Sequence, residues 1–61
     1  MGIMIKVIKN KSFSGYYEIY DGIYVVEEIQ GRTKAKRVAL KLAKEKKEAF
    51  ISFLGEMLDV A

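Results

Sequence analysis

Residues Tyr16–Ile29, reading YYEIYDGIYVVEEI, decide how this chain folds. Aromatic and β-branched residues flank Asp21-Gly22, and such residues suit a pleated, half-buried surface. Asp-Gly between two such runs signals a two-residue hairpin turn, because a type I′ turn needs positive φ at both central positions. The expected strands are Tyr16–Tyr20 and Ile23–Ile29. That turn pairs Tyr20 with Ile23, Ile19 with Tyr24, Glu18 with Val25, Tyr17 with Val26 and Tyr16 with Glu27. Tyr17, Ile19, Tyr24 and Val26 then share a face that meets the core. Tyr16, Glu18, Tyr20, Ile23, Val25 and Glu27 face outward. A slip of one residue would exchange the two sets.

Upstream, Ile3, Ile5 and Val7 alternate with Met4, Lys6 and Ile8, the period of a strand. Asn10–Gly15 is a loop by composition, with Phe13 expected to fold back onto the core. Downstream, Gln30-Gly31 ends the hairpin and Thr33 is the expected helix N-cap. Ala35, Val38, Ala39 and Leu42 form one helical stripe. Lys34, Arg37, Lys41 and Lys44 lie on its flank and back. Lys46 falls inside the apolar stripe, so the helix should end near it. Residues 49–54 read either as a strand, stopped by Gly55, or as more helix. Their β-branched and aromatic content favours the strand. The expected fold class is α+β, in the order β-β-β-α with a final strand. A small antiparallel sheet of three or four strands packs on one helix, and residues 1–61 make a single domain.

Sixty-one residues is short, and a chain of this size buries only about 60% of its unfolded surface. Such domains often recruit disulfides, a metal or a second subunit. There is no cysteine and no histidine, which removes disulfides and any Cys/His zinc site and leaves oligomerisation, with a dimer expected. Met1–Ile8 is too short and too interrupted for a signal peptide. No run approaches the roughly 20 apolar residues of a membrane span. Gly2 lacks the following Ser or Thr of a myristoylation signal. The expected location is the cytoplasm.

The net charge of +3 conceals a segregation. Residues 32–47 hold eight of the eleven bases and one acid, Glu45; residues 16–31 hold four acids and no base; residues 48–61 hold three acids and no base.

No catalytic constellation is legible. Histidine, the usual acid–base group near neutral pH, is missing, so neither Ser–His nor Cys–His nucleophiles can form. Glu27 and Glu28 are adjacent, and neighbours on a strand point to opposite faces. Gly31-Arg32-Thr33-Lys34 lacks P-loop spacing. The expectation is a non-enzyme with no cofactor, no metal and no membrane partner.

Binding remains. Tyr16, Tyr20, Ile23 and Val25 on the outer sheet face, with Leu40 on the helix, are candidate protein-interface residues, because tyrosine buries large area with a polar tip. A module of this kind is expected to act as a regulator or inhibitor, self-associating or docking on a partner. Arg32, Lys34, Arg37, Lys41 and Lys44 are candidate phosphate contacts for the alternative partner, nucleic acid. A strand, a Thr-Lys-Ala helix start and the spacing Ala35, Ala39, Ala43 resemble the sheet-plus-helix arm domains of phage-type recombinases over Thr33–Ala43. Those residues are common helix formers, and no family is assigned on them.

Overall fold

Five strands and one helix follow one another in a computed structural model, which describes residues 5–60. They are β1 (Ile5–Lys9), β2 (Tyr16–Asp21), β3 (Tyr24–Gln30), α1 (Arg32–Glu45), β4 (Phe50–Phe53) and β5 (Glu56–Asp59). The sheet order is β3-β2-β1-β4-β5. β1 and β4 are parallel; the other neighbours are antiparallel. The expected α+β class and C-terminal strand are both present. Ile3 and Met4 lie outside the described residues.

The core is where period two meets the helical stripe. Ile5, Val7, Ile19, Ile51 and Phe53 on the sheet are buried against Ala35, Ala39 and Ala43 of α1. Alanines four apart give the helix a flat side, which lets it approach the sheet closely. Each of the fully buried isoleucines contributes about 1.5–3 kcal/mol. The rim is made by half-buried Tyr17, Ile29, Val38, Leu40, Leu42 and Leu58. One helix covers one face of the sheet, and no described element covers the other.

The hairpin forms, but its register differs from the expected one. The two-residue loop is Gly22-Ile23, flanked by the pair Asp21–Tyr24. Only Gly22 has positive φ there, at 67°, as in a type II′ turn with glycine first. Tyr20 pairs with Val25, and Ile19 then pairs with Glu27. Val26 is the extra residue of a β-bulge, which inverts the facing of everything after it. Glu28 therefore opposes Glu18, and Ile29 opposes Tyr17. Ile29, rather than Tyr24 or Val26, packs on the core. Tyr24 and Val26 are exposed, because β3 is the sheet edge and the bulge turns Val26 away. Phe13 is also exposed, held edge-on to Tyr16 with ring centroids 6.2 Å apart, instead of reaching the core.

Helix α1 begins two residues earlier than an N-cap at Thr33 would set it. Gly31 is its N-cap, at φ 100° and ψ 129°, with no capping side chain. A residue with a Cβ is strained there, so the backbone turn and not a hydroxyl sets the start. Gly31 donates its N–H to the Gly15 carbonyl at 2.8 Å and accepts from Ala35 N–H at 3.0 Å. At the other end Lys46 is the C-cap. Lys47 donates to Lys44 O, and Glu48 to Ala43 O. These bonds form a Schellman motif with Lys47 left-handed at φ 60°.

The C-terminal run adds a strand beyond the expected one. Leu54 and Gly55, at φ 51° and 89°, turn the chain so that β5 pairs antiparallel with β4. Phe50 and Ser52 point away from α1, while Ile51 and Phe53 are buried beneath it.

Candidate functional site

The uncovered sheet face is assembled by the strand registers. One row runs Val25, Tyr20, Lys6, Ser52, Met57 from edge to edge. The next holds Glu28, Glu18 and Ile8. Phe50 and Asp59 are paired at the β4–β5 corner. Val25, Phe50 and Met57 are large and exposed. Apolar anchors thus sit at both margins, with polar groups between them.

The polar centre is a connected set. Lys6 Nζ lies 5.7 Å from the centroid of the Tyr20 ring. Tyr20 Oη donates to Glu18 Oε1 at 3.4 Å, a long bond. Partial desolvation raises the Tyr20 phenol above its ordinary pKa, and the charge and hydrogen bond of Glu18 add to it. Asn10 Nδ2 donates to Glu18 Oε2 at 3.2 Å and to Glu28 Oε2 at 2.8 Å. Its Oδ1 accepts from the backbone N–H of Ser12 and Phe13, at 2.7 and 2.9 Å. Those two donors fix which end of the amide is oxygen, so the nitrogen must face the carboxylates. An open hollow of roughly 330 Å³ lies between β2 and this loop, walled by Ile8, Asn10, Phe13, Glu18 and Tyr20.

The interface candidates are partly brought together. Tyr20 and Val25 are cross-strand partners, and Tyr16 lies on the same face four residues away. Ile23 is at the hairpin tip, 82% exposed. Leu40 is half-buried against the core from the helix side, remote from the outer face. Lys6, Asn10, Glu28, Phe50 and Met57 belong to the face and were not singled out by sequence. Strand alternation marks Lys6 and Phe50; the doubled Val25-Val26 and Glu27-Glu28, which break period two, mark the bulge that brings in Glu28.

The basic candidates occupy the opposite side. Lys34, Arg37, Lys41 and Lys44 are all exposed on α1, and their spacing sets them opposite the buried alanines. Arg32 leaves this ladder: its guanidinium carbon lies 5.6 Å from the Phe53 ring centroid, a cation–π distance. Tyr16 and Tyr20 are therefore separated from the ladder by the thickness of the molecule.

No group of three His, Cys, Asp or Glu side chains that could hold a metal occurs among the described residues. None of the described helices is long and apolar enough to cross a membrane. In comparisons with known proteins, no family model, no curated protein and no solved structure matches the chain.

Proposed function

We propose that this chain is a small non-catalytic binding module that docks on another protein through its uncovered sheet face, as a cytoplasmic regulator or inhibitor. The observation that carries the reading is the row Val25–Tyr20–Lys6–Ser52–Met57, with Phe50 beside it. Exposed Val25, Phe50 and Met57, with Tyr20 and Tyr16 on the same face, are more apolar and aromatic surface than a solvated sheet face needs, and aromatic residues and methionine are enriched at interfaces. A sheet packed on one side only gains stability when the other side is covered, and a domain this small has little to spare. The absence of histidine and cysteine supports a role without catalysis.

The test is affinity capture from the native host's lysate with nuclease present, using the wild-type chain and Val25→Glu/Met57→Glu. A protein retained by the first and lost with the second is the expected result. Retention that survives both substitutions would sink the sheet-face reading. Sedimentation of the same pair separates a second copy from a different partner.

A second reading rests on one observation, the exposed ladder Lys34, Arg37, Lys41 and Lys44. It would neutralise phosphates of a nucleic acid without reading sequence. Retention on DNA that falls steeply with salt, and is lost in Lys34→Glu/Lys41→Glu, would favour it.

A further inference from the structure

We infer that the open edge of β3 accepts an extended, basic segment of a partner protein as an added strand. The inference rests on the reading of the sheet as the binding element and names the occupant of its margin.

Among the described residues β3 is hydrogen-bonded on one side only, to β2. Its outer row of backbone N–H and C=O groups is a template for another strand. Edges are commonly blunted by lysine, by proline or by a bulge; residues 16–31 contain no lysine and no proline, and the bulge at Val26 interrupts this edge at one point. Instead Ile23, Tyr24, Val25 and Val26 are 82%, 70%, 51% and 44% exposed in succession.

Charge decides what fits. Glu27 and Glu28 follow on the same edge, both exposed, with Glu18 directly opposite Glu28. Among the described residues no ion pair reaches any of the three. A strand carrying Lys or Arg there gains opposite-charge pairs, whereas an acidic strand meets like charges.

A second copy does not meet this requirement. Among the described residues the sheet has two open edges, β3 and β5. β5 carries Glu56 and Asp59, and residues 48–61, like 16–31, contain no base. Edge-to-edge pairing of this chain with itself would therefore set acid against acid. The basic segment of the chain is α1, already committed as a helix through its buried alanines. The bulge at Val26 further divides the edge. Apolar residues of the added strand face Tyr24 and Val25, and its bases face Glu27 and Glu28.

The experiment titrates the full chain with three short peptides of defined composition: a Lys-Val peptide of repeat Val-Val-Lys-Lys, which sets one Val and one Lys in turn on each face, a Glu-Val peptide of repeat Val-Val-Glu-Glu, and the Lys-Val peptide with proline in place of one Val of each pair. The proline peptide keeps the charge and cannot form a strand ladder. The Lys-Val peptide is expected to bind and to slow amide exchange selectively between Tyr24 and Gln30. Glu27→Lys/Glu28→Lys should weaken it by about tenfold or more, and Lys34→Glu should not. No binding of the Lys-Val peptide, or equal binding of either control peptide, would overturn the inference. So would binding without added protection along β3. If that binding is lost in Val25→Glu/Met57→Glu, the sheet-face function stands and strand addition alone fails.

Discussion

Glu18 and Glu28 oppose each other directly across β2 and β3, with one donor, Nδ2 of Asn10, bonded to both carboxylates. Like charges in that position destabilise a sheet by up to about 1 kcal/mol. The amide offsets part of this and at the same time pins the loop after β1 through its oxygen. Glu28→Gln removes one charge and keeps an acceptor for Asn10. It should raise the unfolding free energy from urea titration by a few tenths of a kcal/mol to about 1 kcal/mol, with a gain that shrinks as salt is added. Asn10→Ala removes both the bridge and the loop bonds and should cost about 1–3 kcal/mol. An unchanged midpoint in both variants would mean that the pair is already relaxed by solvent.

Alkaline titration probes the same face. Tyr20 has its phenol raised above 10.0, by desolvation first and by Glu18 second. NMR of the tyrosine rings should find it above the ordinary phenol value, and Glu18→Gln should lower it only in part. Lys46 is raised above 10.5 by its hydrogen bond to Asp21, then by the Asp21 charge, with desolvation opposing and Glu48 adding. The pair is 2.8 Å apart. A raised folded-state pKa means stability that is fully present below the unfolded value and lost as pH climbs through the folded one. The urea midpoint of wild type should therefore exceed that of Lys46→Met at neutral pH, and the gap should close above about pH 10.5. A gap that persists at high pH would assign the effect to packing of the lysine stem.

Lys47 carries a backbone strain that a glycine would not. Its φ of 60° costs an ordinary L-residue about 1–2 kcal/mol, and the Schellman bonds around it require that conformation. Lys47→Gly should stabilise the chain by up to about 1 kcal/mol after the entropy of the added glycine is counted, while Lys47→Val should destabilise it. Gly31→Ala is the converse control: a Cβ there meets nothing within 4 Å, so any loss is conformational.

Several of these features were legible in the residues themselves. The hairpin and the end of α1 near Lys46 followed from Asp21-Gly22 and from a lysine entering the apolar stripe. The β-branched and aromatic content of residues 49–54 marks strand β4, Phe50–Phe53. The register was not legible, because Gly22 satisfies either turn: second in Asp21-Gly22 or first in Gly22-Ile23. Pairing further down the strands chose between them. The outward set on β2 survived, since a two-residue shift preserves facing. On β3 the bulge then reversed it and exchanged Glu27 for Glu28 at the site. β5 was missed because its turn places Leu54 left-handed, a conformation that leucine gives no reason to expect.

The register also yields a direct mutational contrast. In the pairing that Asp21-Gly22 would impose, Ile19 and Val26 both belong to the core. In the observed one Ile19 is fully buried, Val26 is the bulge residue at 44% exposure, and Ile29 packs on the core in its place. Ile19→Ala should cost about 2–5 kcal/mol. A chain of this length holds roughly 3–9 kcal/mol in total, so that variant is expected to be largely unfolded or close to it. Val26→Ala should stay within about 0.5 kcal/mol of wild type, as an exposed substitution does, and Ile29→Ala should fall between the two. A loss at Val26 matching that at Ile19, with Ile29 silent, would restore the unbulged hairpin. It would also return Glu27 to the outer face, and with it dissolve the Glu18–Glu28 pair.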